Sequence, residues 1–191
     1  MEALFISTGV VAIAEIGDKT QLLAFILAAR FKKPLPIIAG ILCATLINHG
    51  LAGVLGSWIT SVVSPEVMRW ALGLSFIGMA IWTMIPDKIE EEETQVAKHL
   101  GVFGATFITF FLAEMGDKTQ IATVALAAHY GAPLMVVIGT TLGMLVADVP
   151  AVFIGNKFAT RIPMKLVHSI AAGIFALMGL LTLLQVEKLF Q

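Results

Sequence analysis

The chain has 191 residues, 58% of them hydrophobic and 13% charged, with a formal net charge of -1 and a mean hydropathy of +0.94. Soluble domains carry about 25% charged residues, so this composition is that of an integral membrane protein. Near-neutral charge without a basic stripe excludes a nucleic-acid binder, and a lone Cys43 excludes an intrachain disulfide.

A spanning helix takes roughly 20 mostly apolar residues. Six segments qualify, at about 4–29, 36–61, 67–86, 101–128, 133–156 and 165–186. The first has Glu2 where a cleaved leader would be basic, so it is expected to be a mature span. Pro34, Pro36 and Pro133 suit helix starts, where a missing N–H costs little. Trp58, Trp70 and Trp82 fall near expected span ends, as an aromatic belt would.

The long polar stretch PDKIEEEETQVAKH, residues 86–99, divides the chain into halves of three spans. The halves repeat at an offset of 99. AEIGDKTQ at 14–21 returns as AEMGDKTQ at 113–120, and Ala28, Ala29, Pro34, Gly40 and Gly56 meet Ala127, Ala128, Pro133, Gly139 and Gly155. Small residues let membrane helices approach closely.

Short-loop Lys and Arg set orientation. Arg30, Lys32, Lys33, Lys88, Lys98, Lys157, Arg161 and Lys165 fall on one side, Arg69 and Lys188 on the other. This places the linker in the cytoplasm and both termini outside. An odd number of spans per repeat inverts the second half against the first, a design used for alternating access. The expected fold is thus an all-α integral membrane protein with six transmembrane helices as two inverted three-helix repeats. Residues 1–86 form the first repeat, 87–100 an acidic cytoplasmic linker and 101–191 the second repeat.

Both charged motifs fall near the middle of a span. An ionisable group there costs about 2.5–3.5 kcal/mol on insertion scales. If the helices are regular, Glu15 and Asp18 share a face at i, i+3, as do Glu114 and Asp117, and Lys19 and Lys118 each reach their own Glu at i, i+4. Gln21 and Gln120 then lie beside the Asp as auxiliary oxygen ligands. Thr20 and Thr119 point elsewhere on a regular helix but stand as candidate path-lining residues. Gly17 and Gly116 allow close approach or a local helix break. Two internal salt bridges would account for the Glu and Lys residues but leave both Asp residues unexplained. Four carboxylates and two ammonium groups carry a formal charge of -2, which one divalent cation neutralises. Hard oxygen ligands suit Ca²⁺, Mn²⁺ or Mg²⁺, and no His or Cys lies in either motif to suggest zinc or copper. Crowded carboxylates that lose a metal can take protons in its place, which is the simplest route to cation/proton exchange.

Twin Glu-x-Gly-Asp-Lys-Thr motifs, one per three-helix half and separated by an acidic loop, resemble the cation/proton exchanger family that includes Golgi calcium/manganese exchangers and bacterial manganese exporters. The resemblance covers the whole chain, whose shortness looks like the bacterial members. It implies that Glu15, Asp18, Glu114 and Asp117 form the cation site. It also implies export of Mn²⁺, or Ca²⁺, from the cytosol against protons, in a bacterial inner membrane. The transported ion is the substrate, and no enzyme activity or resident cofactor is expected.

Asn48 and His49 lie within the second span and Asp148 within the fifth, with His49 and Asp148 matched at the repeat offset. Intramembrane ionisable residues are functional candidates by default. Asp148 stands as a path-lining or auxiliary ligand, with a buried polar pair as the plainer reading. Thr45, Ser57, Thr106, Thr109, Thr123, Thr140 and Thr141 suit helix–helix hydrogen bonds. The Glu run at 90–93 reads as a solvated loop, Met115 as packing, and His99, His129 and His168 as interfacial. Rival functions are a passive divalent-cation channel, a small-solute exporter such as one for amino acids, and an intramembrane aspartyl protease. The last fits poorly, because Glu15 and Glu114 stand where its motif needs Gly.

Overall fold

The computed structural model describes residues 1–85, 100–154 and 164–184. The regular structure among them is helical throughout: α1 (Glu2–Glu15), α2 (Lys19–Phe31), α3 (Pro34–Val62), α4 (Pro65–Thr83), α5 (Val102–Glu114), α6 (Lys118–Tyr130), α7 (Pro133–Ile154) and α8 (Met164–Leu184). The acidic linker with its Glu run, His99, and the basic residues Lys88, Lys98, Lys157, Arg161 and Lys188 lie outside the described residues, as do the side chains of Lys165 and His168.

The first and fourth expected spans are each two helices, not one. Gly17 and Gly116 hold φ of +85° and +79°, where a residue with a Cβ is strained and a helix stops. Ile16 and Met115 are extended before them, and Asp18 and Asp117 are extended after them at ψ 169° and 168°. The matching continues along the chain. Lys32 ends α2 in the left-handed conformation at φ 53° with its N–H on Ala28 O. Its counterpart Gly131 ends α6 at φ 60° with its N–H on Ala127 O. Pro34 and Pro133 then open α3 and α7.

The halves interleave. Helix α1 packs on α7 and α5 on α3, while α3 meets α7 and α4 meets α8. Glycines make these crossings close. A Cβ on Gly40 would lie 2.7 Å from Thr106 Cβ, and one on Gly139 would lie 2.5 Å from Leu4 O and 3.0 Å from Ser7 Cβ. Ser7 and Thr106 are themselves repeat counterparts, so one crossing is built twice.

Pro34–Val62 and Pro133–Phe153 are each long and apolar enough to cross a membrane. Large apolar side chains cover the outside, among them Leu51, Val54, Trp58, Trp70, Leu74, Val146 and Leu177. Glu15, Asp18, Glu114, Asp117, Lys118 and Asp148 are buried inside, an apolar exterior around a charged interior being the arrangement a lipid solvent selects. His129 is half-buried next to the end of α6, its ring packed edge-on against Phe76 and Tyr130 at 6.1 and 4.7 Å between centroids.

Candidate cation site

The two helix breaks meet in the interior. Each break places a Glu at the last residue of one helix and an Asp at the N-cap of the next. An N-cap Asp commonly accepts a bond from its own helix, but neither Asp18 nor Asp117 makes a side-chain cap bond. Gln21 and Gln120 perform the local tie instead. Their Oε1 atoms accept the N–H groups of Gly17 at 2.9 Å and Gly116 at 2.7 Å, like the reverse half of a capping box. The glutamine oxygens expected as auxiliary ligands are thus engaged in holding the break.

Glu15, Glu114 and Asp117 are buried, and one ligand oxygen from each lies within 4.8 Å of the others. The Thr side chains, directed elsewhere on a regular helix, turn into the site because the helix is broken. Thr20 Oγ1 donates to Glu15 Oε2 at 2.6 Å and Thr119 Oγ1 to Glu114 Oε2 at 2.8 Å. The other oxygen of each glutamate, Oε1, is buried with no hydrogen-bond partner among the described residues. Two glutamates thus each present one clamped and one open oxygen, as a metal ligand supported from behind would.

The lysines do not pair with their own glutamates. Lys118 Nζ donates to Asp18 Oδ1 at 2.5 Å, with side chains 1% and 0% exposed. Lys19 Nζ lies 3.8 Å from Asp117 Oδ1, at 18% and 2% exposure. Both contacts cross between halves, since the broken backbone swings each Lys away from the Glu four residues earlier. Asp18 is therefore engaged by Lys118 and is not one of the three carboxylates whose oxygens lie within 4.8 Å of one another. Those three carboxylates with Lys19 carry a formal charge of -2, the sum a divalent cation cancels.

Helices α3 and α7 close the sides. Gln21 Nε2 donates to Ala147 O at 3.0 Å, and Gln120 Nε2 approaches Asn48 Oδ1 at 3.4 Å. Asn48 Nδ2 in turn donates to Phe111 O at 3.0 Å. Ala147 and Asn48 are repeat counterparts, so a backbone carbonyl on one side does what an amide side chain does on the other. Sequence reading named Asn48 only as a buried polar residue and missed Ala147; the repeat offset was the available signal. Asp148 is fully buried, and neither of its oxygens has a hydrogen-bond partner among the described residues. His49 is equally buried, with neither ring nitrogen hydrogen-bonded among the described residues.

The remaining threonines do not form the helix–helix bonds expected of them. Thr106, Thr109, Thr123 and Thr140 donate to carbonyls of their own helices, at Val102, Ala105, Thr119 and Val137. Thr45 Oγ1 and Thr141 Oγ1 are buried without a partner among the described residues, and Ser57 is exposed. Met115 is 55% exposed, so its thioether is turned out of the cluster.

The family model described as divalent cation/proton antiporter GDT1 matches the chain twice, over residues 3–91 and 102–189. A Vibrio cholerae protein named "Putative manganese exporter" is 52% identical over 183 residues, 95% of this chain and 90% of its own length. A rice protein named GDT1-like protein 3 is 30% identical over 91% of this chain and 71% of its own length. An Arabidopsis thaliana protein named GDT1-like protein 5 is 27% identical over 90% of this chain and 91% of its own. No solved structure matches the chain. Doubled carboxylate breaks, a charge balance suited to a divalent cation and a match across both halves lead to one conclusion: the chain belongs to the GDT1 family of divalent cation/proton antiporters, which are membrane transporters.

Proposed function

We propose that this protein exports Mn²⁺ from the cytosol in exchange for protons, binding the ion at Glu15, Glu114 and Asp117. The observation that carries the reading is the buried cluster of three carboxylates, contributed by both halves, with an open oxygen on each glutamate. Oxygen ligands suit Mn²⁺ and Ca²⁺ alike, and the name of the Vibrio cholerae relative favours manganese.

In this reading the membrane holds six spans in two inverted repeats. The broken pair α1–α2 with α3 and α4 forms residues 1–86, and the broken pair α5–α6 with α7 and α8 forms residues 101–191. The linker at 87–100 is cytoplasmic, both termini are outside, and the membrane is the bacterial inner membrane. The matched breaks at Gly17 and Gly116 support the repeat. Carboxylates bind metal deprotonated, so metal binding and proton binding exclude one another. Metal loads from the cytosol, the site turns outward, and protons displace the ion and return on the same groups. Exporting a divalent ion against 100 mV costs about 4.6 kcal/mol, which two entering protons cancel. Asp148 lines the path beside the glutamates.

The test is transport by the purified protein in liposomes with an internal pH dye under an imposed Mn²⁺ gradient, repeated with Ca²⁺. Metal entry coupled to proton exit is expected, faster for Mn²⁺, and lost in folded Glu15→Gln and Asp117→Asn. Metal flux without proton movement would identify a channel. Wild-type rates in both variants would remove the site. Transport of amino acids in place of metal would favour the small-solute exporter.

A further inference from the structure

The repeats have the same motif and nearly the same backbone, yet their ion pairs are unequal. Lys118–Asp18 is short and sealed, whereas Lys19–Asp117 is long and has 18% of its Lys exposed. The glycine φ values differ by only a few degrees, and the N-cap Asp residues adopt the same φ of -77°. The backbone of the motif is therefore not the cause. The inequality belongs to how the two halves lie against each other and to the unlike neighbours they meet, Ala147 at Gln21 and Asn48 at Gln120.

The carboxylate cluster records the consequence. It contains Asp117, whose lysine stands off, and not Asp18, which Lys118 holds. Both glutamates belong to it, each clamped by the Thr of its own motif. We propose that Asp18 and Asp117 are alternate ligands. Whichever Asp its cross-repeat lysine holds at the longer distance completes the site with Glu15 and Glu114, and the transport step exchanges the two. Lys118 and Lys19 are the positioning residues that enforce this, each withdrawing one carboxylate so that the site never holds all four. The site stays at three carboxylates on either side, which keeps the ion from being bound too tightly to leave. The inference rests on the cation site proposed above.

Removing either lysine leaves its Asp free to remain on the ion in both arrangements. A fourth carboxylate raises affinity for a hard divalent cation. Lys118→Gln is therefore expected to bind Mn²⁺ roughly tenfold more tightly and to turn over more slowly, so that KM and kcat fall together. Lys19→Gln should do the same. Lys118→Arg, which can still pair with Asp18, should restore turnover in part. Adding Asp18→Asn to Lys118→Gln should return the affinity to near that of wild type, a non-additivity that marks the two as one unit.

The measurement is Mn²⁺ binding to full-length protein in lipid nanodiscs, paired with liposome transport. Weaker binding in both Lys variants, or unchanged KM and kcat in both, would overturn the exchange of ligands while leaving the exchanger intact. If Lys118→Gln does not fold, Lys19→Gln with and without Asp117→Asn carries the same test. Failure of wild-type protein to bind Mn²⁺ would instead overturn the cation site itself, and this proposal with it.

Discussion

Lys118 Nζ sits 2.5 Å from Asp18 Oδ1, across the two halves of the chain and with both side chains out of contact with solvent. A desolvated pair of this kind gains its attraction in a low-dielectric interior, and removing one partner leaves the other charge buried. The pair therefore joins the halves beside the buried carboxylate cluster.

Stability should reveal the difference between the two lysines. Lys118→Gln is expected to cost about 3–5 kcal/mol in metal-free protein. Lys19→Gln, at a longer and part-exposed pair, should cost about 0–1 kcal/mol. Thermal unfolding in detergent with a chelator measures both. Equal losses would mean that the unequal geometry has no energetic consequence.

Thr20 and Thr119 hold one oxygen of each glutamate. A residue that orients a metal ligand from behind is worth about 10- to 100-fold in affinity. Thr20→Ala and Thr119→Ala should weaken Mn²⁺ binding within that range without abolishing transport. Thr→Ser at either position keeps the hydroxyl and should remain close to wild type. Binding isotherms distinguish the two substitutions; if Ala and Ser behaved alike, the hydroxyl would have no part in the site.

Gly116 needs its positive φ rather than space, since a Cβ there would meet nothing within 4 Å. Gly116→Ala should cost about 1–2 kcal/mol, and Gly116→Asn less, because Asn tolerates the left-handed region better. Gly139→Ala fails for another reason. Its Cβ would press on the Leu4 carbonyl at 2.5 Å, so overpacking should cost about 1–3 kcal/mol. Unfolding midpoints of the three variants test the distinction.

Protons should compete with the metal on the loading side. Each carboxylate must lose its proton to bind, so acidification there raises the apparent KM for Mn²⁺, by about tenfold per pH unit for every proton displaced. Acidification of the releasing side should speed transport instead. Initial rates in liposomes with independently buffered faces measure both signs. A KM that ignored pH on both faces would be incompatible with a shared site.

Composition placed the chain in a membrane, and the doubled motif identified carboxylates contributed by two halves. Both readings depend only on residue type and count, which a sequence carries in full. The resemblance to the exchanger family rested on the same residues and agrees with the family match. Pairings were a different matter. Reading Glu15 with Lys19 at i, i+4 assumes unbroken helical periodicity, and a single positive φ at Gly17 redirects every side chain that follows. A glycine permits that angle but does not require it. Packing against α7, where Gln21 takes the Ala147 carbonyl, helps to hold the break, and that partner is 126 residues away in the chain. The tertiary structure alone decided that the lysines cross between halves, that the threonines clamp the glutamates, and that Asp117 rather than Asp18 stands in the cluster. Each of these depends on where one half lies against the other, a relation between distant residues that no local spacing encodes.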